Sequence, residues 1–393
     1  MSHARVALLA SILLLDSAAA AAQQAAAPPT RTLEFTGLVL VNGFWNDNFT
    51  DNADVPHFVL AVPPANAVRE GGVGATARQS RLGLTLTQSQ VLGATFTGEV
   101  DVDFYGGQLA NGGRTSPVLR LRRLVARLNW PRGEWLVGQE TQLVAEINPR
   151  SLASIGTPGF VAAGNLWFWM PQIRGTYEIG STVRFAVAGA VIAPMTGAAQ
   201  GSFNTALDSA EQSGRPFLQG RARVSWGAAD DASELGVGYH MGWFAETDST
   251  LTTNRALVVS GRIKLGLAEM RGEWYDGHGL GVLGGGGIGR NFSTVIPGDP
   301  LNDQGGWFQL NLRPRSTIEF GGGCGFDQPD EAQLDPADPL ERLSNVACEG
   351  HVMWFPAGPL VTGVEYRRIS TEYGGATGTL VANHVNLQAG FRF

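Results

Sequence analysis

The chain has 393 residues and a formal net charge of −7, and 44% of its residues are hydrophobic. This length suits two or three soluble domains or one large β-barrel, and the acidic balance gives no reason to expect a nucleic-acid partner. No apolar run is long enough to predict a transmembrane helix.

The N-terminal segment has the features of a secretory signal peptide. A basic start is followed by an apolar run at 6–15 and by small residues with an Ala-x-Ala pattern at 20–22. We therefore expect residues 1–22 to be removed on export and residues 23–31 to form a short periplasmic lead-in.

Beyond the lead-in, apolar and polar residues alternate in short runs separated by turns, which predicts antiparallel strands. The clearest run is 94–105, where Glu99, Asp101 and Asp103 share one face and apolar residues occupy the other. Three carboxylates cannot face lipid and would be costly in a dry core, so this face needs water. The last strand alternates in the same way and ends on Phe393, an aromatic residue that suits a membrane–water interface.

Sixteen strands are predicted in this way, most of them long enough to cross a bilayer when tilted. They span 33–45, 76–87, 94–105, 118–128, 134–141, 167–178, 182–193, 216–226, 233–245, 256–265, 268–275, 306–312, 316–325, 346–355, 360–370 and 379–393. The alternation changes phase at Arg122-Arg123, which predicts a β-bulge.

The connections between these strands alternate in length. Every odd connection is long or rich in turn residues, beginning with 46–74, whereas every even connection is short, beginning with 88–92. A soluble sandwich has no reason for this alternation, but an outer-membrane barrel has short periplasmic turns and long extracellular loops. The predicted fold is therefore all-β: a sixteen-stranded antiparallel transmembrane β-barrel over residues 32–393, closed because lipid does not tolerate an open sheet edge.

Several segments of the chain resemble the trimeric general porins of bacterial outer membranes, and among them the DcaP-like porins. The resemblance is carried by 77–83, 99–106, 119–122, Gly138-Gln139 and the terminal Phe393, whereas Arg123-Leu124 and Glu140 depart from the family pattern. It implies a homotrimer of water-filled pores in outer-membrane lipid, each narrowed by the third extracellular loop. That loop corresponds to 142–166 here.

Arginine dominates the inward-facing positive charge of the predicted barrel. The pore-lining candidates are Arg78, Arg81, Arg120, Arg122, Arg174, Arg221, Arg223, Arg262 and Lys264, with the acidic Glu99, Asp101, Asp103, Glu140 and Glu146. Two interpretations stay open for the arginines. They pair with the acidic strand and contribute little to stability, or they favour anionic solutes, because a guanidinium can hold two carboxylate or phosphate oxygens at once. We expect Glu140 and Glu146 to lie in the inserted loop and to face the arginines across a narrow pore.

Two cysteines, Cys324 and Cys348, flank an acidic segment at 326–345. They lie at similar heights on strands that we predict to form a hairpin, and export brings them into an oxidising compartment. We therefore predict a disulfide between them. Two unpaired thiols on the barrel wall are the alternative.

No catalytic or metal-binding constellation is visible in the sequence, because the six histidines are scattered and have no metal-ligand spacing. We expect no enzyme activity, no cofactor and no metal. The expected function is passive diffusion of small hydrophilic solutes across the outer membrane, with a preference for anions such as small carboxylates. The alternative is a barrel scaffold or adhesin that displays long extracellular loops.

Overall fold

One antiparallel β-sheet accounts for most of the chain. The structure, a computed structural model, describes residues 29–65, 67–107, 115–196, 207–228, 231–246 and 250–393. The predicted signal peptide at 1–22 and most of the predicted lead-in lie outside the described residues. No helix in these ranges has the length and hydropathy of a membrane span.

The sheet has seventeen segments. They are β1 (Arg31–Asn46), β2 (Gly72–Thr76), β3 (Arg81–Val91), β4 (Ala94–Asp103), β5 (Arg120–Trp130), β6 (Gly133–Thr141), β7 (Trp169–Gly180), β8 (Val183–Ile192), β9 (Phe217–Trp226), β10 (Ser233–Ala245), β11 (Leu251–Leu265), β12 (Ala268–His278), β13 (Asn302–Arg315), β14 (Ile318–Pro329), β15 (Arg342–Trp354), β16 (Leu360–Tyr373) and β17 (Gly378–Arg392). Because β2 and β3 both pair with β1, one after the other, the barrel has sixteen strands. The prediction of one continuous strand at 76–87 is wrong, because residues 77–80 form a turn that interrupts the ladder.

The barrel is closed by the pairing of β1 with β17. At the end of this seam, Gly37 and Phe393 exchange two backbone hydrogen bonds of 2.8 and 3.0 Å. The ring of Phe393 lies directly over Gly37, where a Cβ atom would be only 2.3 Å from the ring carbon Cζ. The predicted closed sixteen-stranded barrel is therefore confirmed.

The outer surface of the barrel is apolar. Large hydrophobic side chains are exposed around the whole wall, among them Leu33, Val41, Val137, Ile173, Val187, Leu257, Leu310, Val364 and Leu387. Residues that alternate with them face the lumen and are mostly polar or charged, as in Asn42, Gln172, Glu273, Asn386 and Gln388. This division of the two faces is the one that a transmembrane barrel requires.

A β-bulge lies in β5, as the change of phase in the sequence predicts. The ladder between β4 and β5 shifts register between Asp101 and Val102, which leaves Arg122 without a partner across the ladder. Gln139 of β6 donates hydrogen bonds to the carbonyl oxygens of Leu121 and Arg122, at 3.1 and 3.0 Å. These bonds satisfy backbone acceptors that the bulge releases from the ladder.

The two rims of the barrel differ. One rim, the short-turn rim, has connections of two residues at 92–93, 131–132, 181–182, 266–267 and 316–317, and slightly longer ones at 227–232 and 355–359. The opposite rim, the long-loop rim, carries the connections named L1 (47–71), L3 (142–168) and L6 (279–301). The predicted alternation has two exceptions, because the strands extend beyond the predicted bounds and leave only 246–250 and 374–377 as connections.

Short helical segments lie in the connections at the long-loop rim. Two four-residue helices, α1 (Ser209–Gln212) and α2 (Gly286–Gly289), and two 3₁₀ turns, Leu280–Leu283 and Glu331–Gln333, are present in the described residues.

Cys324 and Cys348 are directly opposite each other on β14 and β15, and the structure joins them by a disulfide. Cys324 is exposed on the outer surface of the barrel, in line with Phe326. The bond therefore lies on the lipid-facing side of the wall, near the base of the acidic connection. Asp327, which the sequence assigns to that connection, is a buried residue of β14.

Labelling of single introduced cysteines tests the orientation of the rims. We expect Val295→Cys, on an exposed part of L6, to react with a membrane-impermeant maleimide in intact cells, and Ala357→Cys, in a short turn, to react only after lysis. The unsubstituted protein is the control for the native cysteines. The opposite labelling preference would show that the short-turn rim, and not the long-loop rim, faces the outside of the cell.

Mass analysis of peptides from the non-reduced protein tests the disulfide. We expect a linked peptide pair that contains Cys324 and Cys348 and that separates after reduction. Alkylation of both thiols in the native, unreduced protein would contradict the bond.

Candidate pore constriction

L3 folds into the barrel and crosses the lumen. At one wall, the L3 carbonyl oxygens of Leu152 and Ala153 accept hydrogen bonds from Asn42 and Gln79, at 3.2 and 2.8 Å. The backbone N–H of Ile155 donates to the side-chain oxygen of Gln79 at 2.7 Å. The polar inner face of β1 and of the turn before β3 thus holds this part of the loop.

Strands β14 and β16, on the adjoining part of the wall, hold the preceding residues of L3. Arg150 donates two hydrogen bonds to the two carboxylate oxygens of Glu319 in β14, at 2.6 and 2.7 Å. Ser151 donates to Glu365 in β16, and Arg367 donates to Ser154 at 2.6 Å. L3 is therefore attached to β1, β14 and β16, and the segment predicted at 142–166 lies inside the barrel.

L3 also packs against L6 and against one part of the wall. Leu143, Val144 and Leu166 are buried in one apolar cluster with Leu283 of L6 and with inward-facing wall residues such as Phe217. The backbone N–H of Trp167 donates to the carbonyl oxygen of Leu283 at 3.0 Å. The sequence does not indicate that L6 folds inward, because its glycine-rich composition is typical of a surface loop.

L1 enters the lumen as well. The carbonyl oxygens of His57 and Val59 accept hydrogen bonds from Asn345 and Tyr373, at 2.9 and 2.6 Å. Asp54 of L1 is buried and forms an ion pair with Arg78. Together L1, L3 and L6 occupy much of the lumen toward the long-loop rim.

Arginines and aromatic rings alternate along the wall beside L3. Arg78 lies 3.9 Å from the ring centroid of Tyr105, and Arg120 lies 5.2 Å from the same ring. Arg120 and Arg122 lie 5.1 and 4.4 Å from the ring of Trp169. Burial and the nearby Asp54 raise the pKa of Tyr105 to about 12, so its phenol stays neutral. The stack holds the guanidinium groups in fixed positions.

Most of the sequence-predicted pore residues are in ion pairs. The pairs are Arg78 with Asp54, Arg81 with Asp101, Arg120 and Arg122 with Asp103, Arg174 and Arg221 with Glu146, Arg223 with Glu178, and Lys264 with Glu269. Of the predicted cations, Arg262 alone is in no ion pair among the described residues, and its Nε atom is buried without a hydrogen-bond partner. An arginine that only balances wall charge and one that also meets solutes therefore differ in how far the guanidinium is exposed to water.

The position predicted for Glu140 is wrong. Glu140 is a residue of β6, and its carboxylate accepts hydrogen bonds from Arg123 and Arg127 on the wall itself. Glu99 binds the same two arginines. Arg123 and Arg127 are absent from the predicted set. The β-bulge at Arg122 shifts the alternation by one residue and turns both side chains to the lumen, so the predicted bulge could have indicated them. Glu146 does lie in L3, but in direct contact with Arg174 and Arg221.

Two cavities lie between L3 and the short-turn rim. The larger, of about 1160 Å³, is lined by six arginines (Arg81, Arg122, Arg123, Arg150, Arg313 and Arg392) and by three acidic side chains (Glu99, Asp101 and Glu140). The smaller, of about 330 Å³, is lined by five arginines (Arg127, Arg132, Arg174, Arg221 and Arg223) and by three acidic side chains (Glu134, Glu146 and Glu178). Positive side chains therefore outnumber negative ones in each cavity.

The link between Arg150 and Glu319 provides a test of how L3 is held. Glu319→Gln should lower the stability of the folded barrel by about 2 kcal/mol. This loss is smaller than that expected on breaking a fully buried ion pair, because Arg150 is partly exposed. Loosening of L3 should also increase current fluctuations in planar bilayers. The matched control is Arg313→Gln, which removes the other partner of Glu319 and keeps the loop attached. Equal fluctuation in both variants would argue against this anchor.

Comparisons with solved structures identify similar barrels. The outer-membrane channel DcaP of Acinetobacter baumannii has a TM-score of 0.69 at 18% identity, with 92% of this chain and 97% of that chain covered. The anion-selective porin from Comamonas acidovorans has a TM-score of 0.58 at 10% identity, with 93% and 100% covered. OmpT of Vibrio cholerae, described in a trimer form, has a TM-score of 0.52 at 12% identity, with 92% and 99% covered.

No family model and no curated protein sequence matches the chain. The structural likenesses extend over almost the whole length of each barrel, at low sequence identity. They establish the architecture: the chain has the barrel fold of outer-membrane porins.

Proposed function

We propose that the protein is an outer-membrane porin that lets small hydrophilic solutes diffuse passively, with a preference for anions such as small carboxylates. The apolar outer surface supports a location in the outer membrane, with the short-turn rim toward the periplasm. The barrels of similar architecture include proteins described as a channel and as an anion-selective porin. Transport of a solute, rather than catalysis, is the role that we assign to the lumen.

The proposed anion preference is supported by the excess of arginines over acidic side chains in both cavities between L3 and the short-turn rim. Six arginines and three acidic side chains line the larger cavity. Rings of fixed positive charge in a confined passage attract anions and repel cations. The neighbouring carboxylates reduce this field but do not cancel it.

Paired arginines retain binding capacity toward the cavity. Arg81 uses Nε and Nη2 to bind Asp101, so its Nη1 has no protein partner among the described residues. The side chains of Arg81, Arg223 and Arg313 are 39%, 33% and 48% exposed. A carboxylate solute can therefore meet guanidinium groups that the wall carboxylates hold in position.

The inward folding of L1, L3 and L6 favours a second candidate, a closed barrel that serves as a scaffold or adhesin. Apolar residues of L3 and L6 are buried together in one cluster inside the barrel. Liposome swelling separates the two functions. A porin admits small sugars and carboxylates into the liposomes, whereas a closed barrel leaves the swelling rate at the level of protein-free liposomes.

We also propose that the chain forms a homotrimer in outer-membrane lipid. OmpT of Vibrio cholerae, which shares the architecture, is described in a trimer form. Mass measurement of the detergent-solubilised protein by light scattering checks this assembly. A monomer mass at all concentrations would contradict it.

Ion selectivity tests the role of the exposed arginines. The triple variant Arg81→Gln, Arg223→Gln, Arg313→Gln should shift the reversal potential in a salt gradient toward cation selectivity, because it removes three positive charges from the cavity walls. Arg255→Gln, an exposed arginine of β11 near the long-loop rim, is the control and should leave the potential unchanged. An unaltered potential in the triple variant would mean that these arginines do not set selectivity.

A further inference from the structure

A cluster of three buried potential metal ligands lies on the lumen face of β15 and β16. Glu349 and His351 are two residues apart on β15, so they point to the same face, and His351 is directly opposite Glu365 on β16. Each of the three side chains has one ligand atom within 4.8 Å of those of the other two. All three residues are at least 95% buried, which separates this cluster from exposed acidic patches.

His351 is the unusual member of the cluster. Its side chain is 1% exposed, and neither ring nitrogen has a hydrogen-bond partner in the described residues. Oε1 of Glu319 is 3.7 Å from Nε2, which is within ion-pair distance but too far for a hydrogen bond. Buried imidazole nitrogens are normally paired, so this side chain points to a missing partner.

The two carboxylates are held in place by surrounding donors. Gln309 donates to Glu349 at 3.0 Å, and Arg367 donates to Glu349 and to Glu365 at 2.9 Å each. Ser151 of L3 donates to the second oxygen of Glu365. Each carboxylate oxygen can accept more than one interaction, so these donors orient the carboxylates and leave lone pairs available. Hydrogen bonds of this kind to ligating carboxylates are usual around metal ions.

The charge of the cluster favours a cation. In their ionised forms Glu349 and Glu365 carry two negative charges, and Arg367 compensates only one of them, since Arg150 and Arg313 bind Glu319 instead. A donor set of one imidazole nitrogen and two carboxylates suits Zn²⁺ and similar transition metals better than Mg²⁺ or Ca²⁺, which prefer oxygen alone.

We propose that Glu349, His351 and Glu365 form a binding site for a divalent transition-metal ion such as Zn²⁺. Ions reach it from the larger cavity, because Ser151 and Ser154 line that cavity and contact Glu365 and Arg367. The bound ion supplies the partner that His351 lacks. It also fixes the part of L3 that is attached to this wall.

Calorimetric titration with Zn²⁺ tests the site, using the full chain without a histidine tag in detergent at neutral pH. We expect one ion per chain, no binding to this site in His351→Ala, and binding weakened by at least ~10-fold in Glu349→Gln and Glu365→Gln. His278→Ala removes a histidine at the long-loop rim and should bind Zn²⁺ as the unsubstituted protein does. The β-sheet signal in circular dichroism checks that each variant is folded.

Several outcomes would overturn the proposal. The titration could show no saturable Zn²⁺ binding, or equal affinity in His351→Ala and the unsubstituted protein. Loss of binding in His278→Ala alone would also contradict the site. Because calorimetry needs no current through the pore, failure of this proposal is distinguishable from failure of the porin function.

Discussion

The pairing of β1 with β17 is the contact on which the rest of the structure depends. It turns an open sheet into a closed barrel, in which the short β2 pairs with β1 alone and the other strands have hydrogen-bonded neighbours on both sides. Lipid can then surround the wall without meeting an open sheet edge. Closure also fixes which residues meet water. Apolar side chains take most of the outer face, so the charged side chains of the strands lie mainly in the lumen.

Charge compensation explains why arginines and carboxylates are paired in the lumen. Guanidinium groups crowded into a partly dry interior need carboxylates nearby, and the wall and L3 supply them, as in the pairing of Arg174 and Arg221 with Glu146. The ion pairs that hold L3 across the lumen therefore also determine which arginines remain available to solutes. In the proposed porin, structure and selectivity draw on the same residues, and partial exposure, as at Arg81, is what would distinguish the two roles.

Local alternation was enough to predict most strands and the bulge at Arg122, because each depends on neighbours in the chain, whereas only the family resemblance indicated that 142–166 folds inward. The break at 77–80 was not predictable from alternation, since its turn is stabilised by contacts with β1 and L3. Partners such as Glu319 for Arg150 are 169 residues apart in the chain. Periodicity shows that both face the lumen but cannot show that they meet.

The central claim is that L3 narrows the lumen without sealing it. Single-channel recording of the purified protein in planar bilayers tests this claim most directly. The account predicts discrete, stable current steps that carry more anion than cation. Incorporation of folded barrels that give no current steps would contradict it and would favour the closed scaffold.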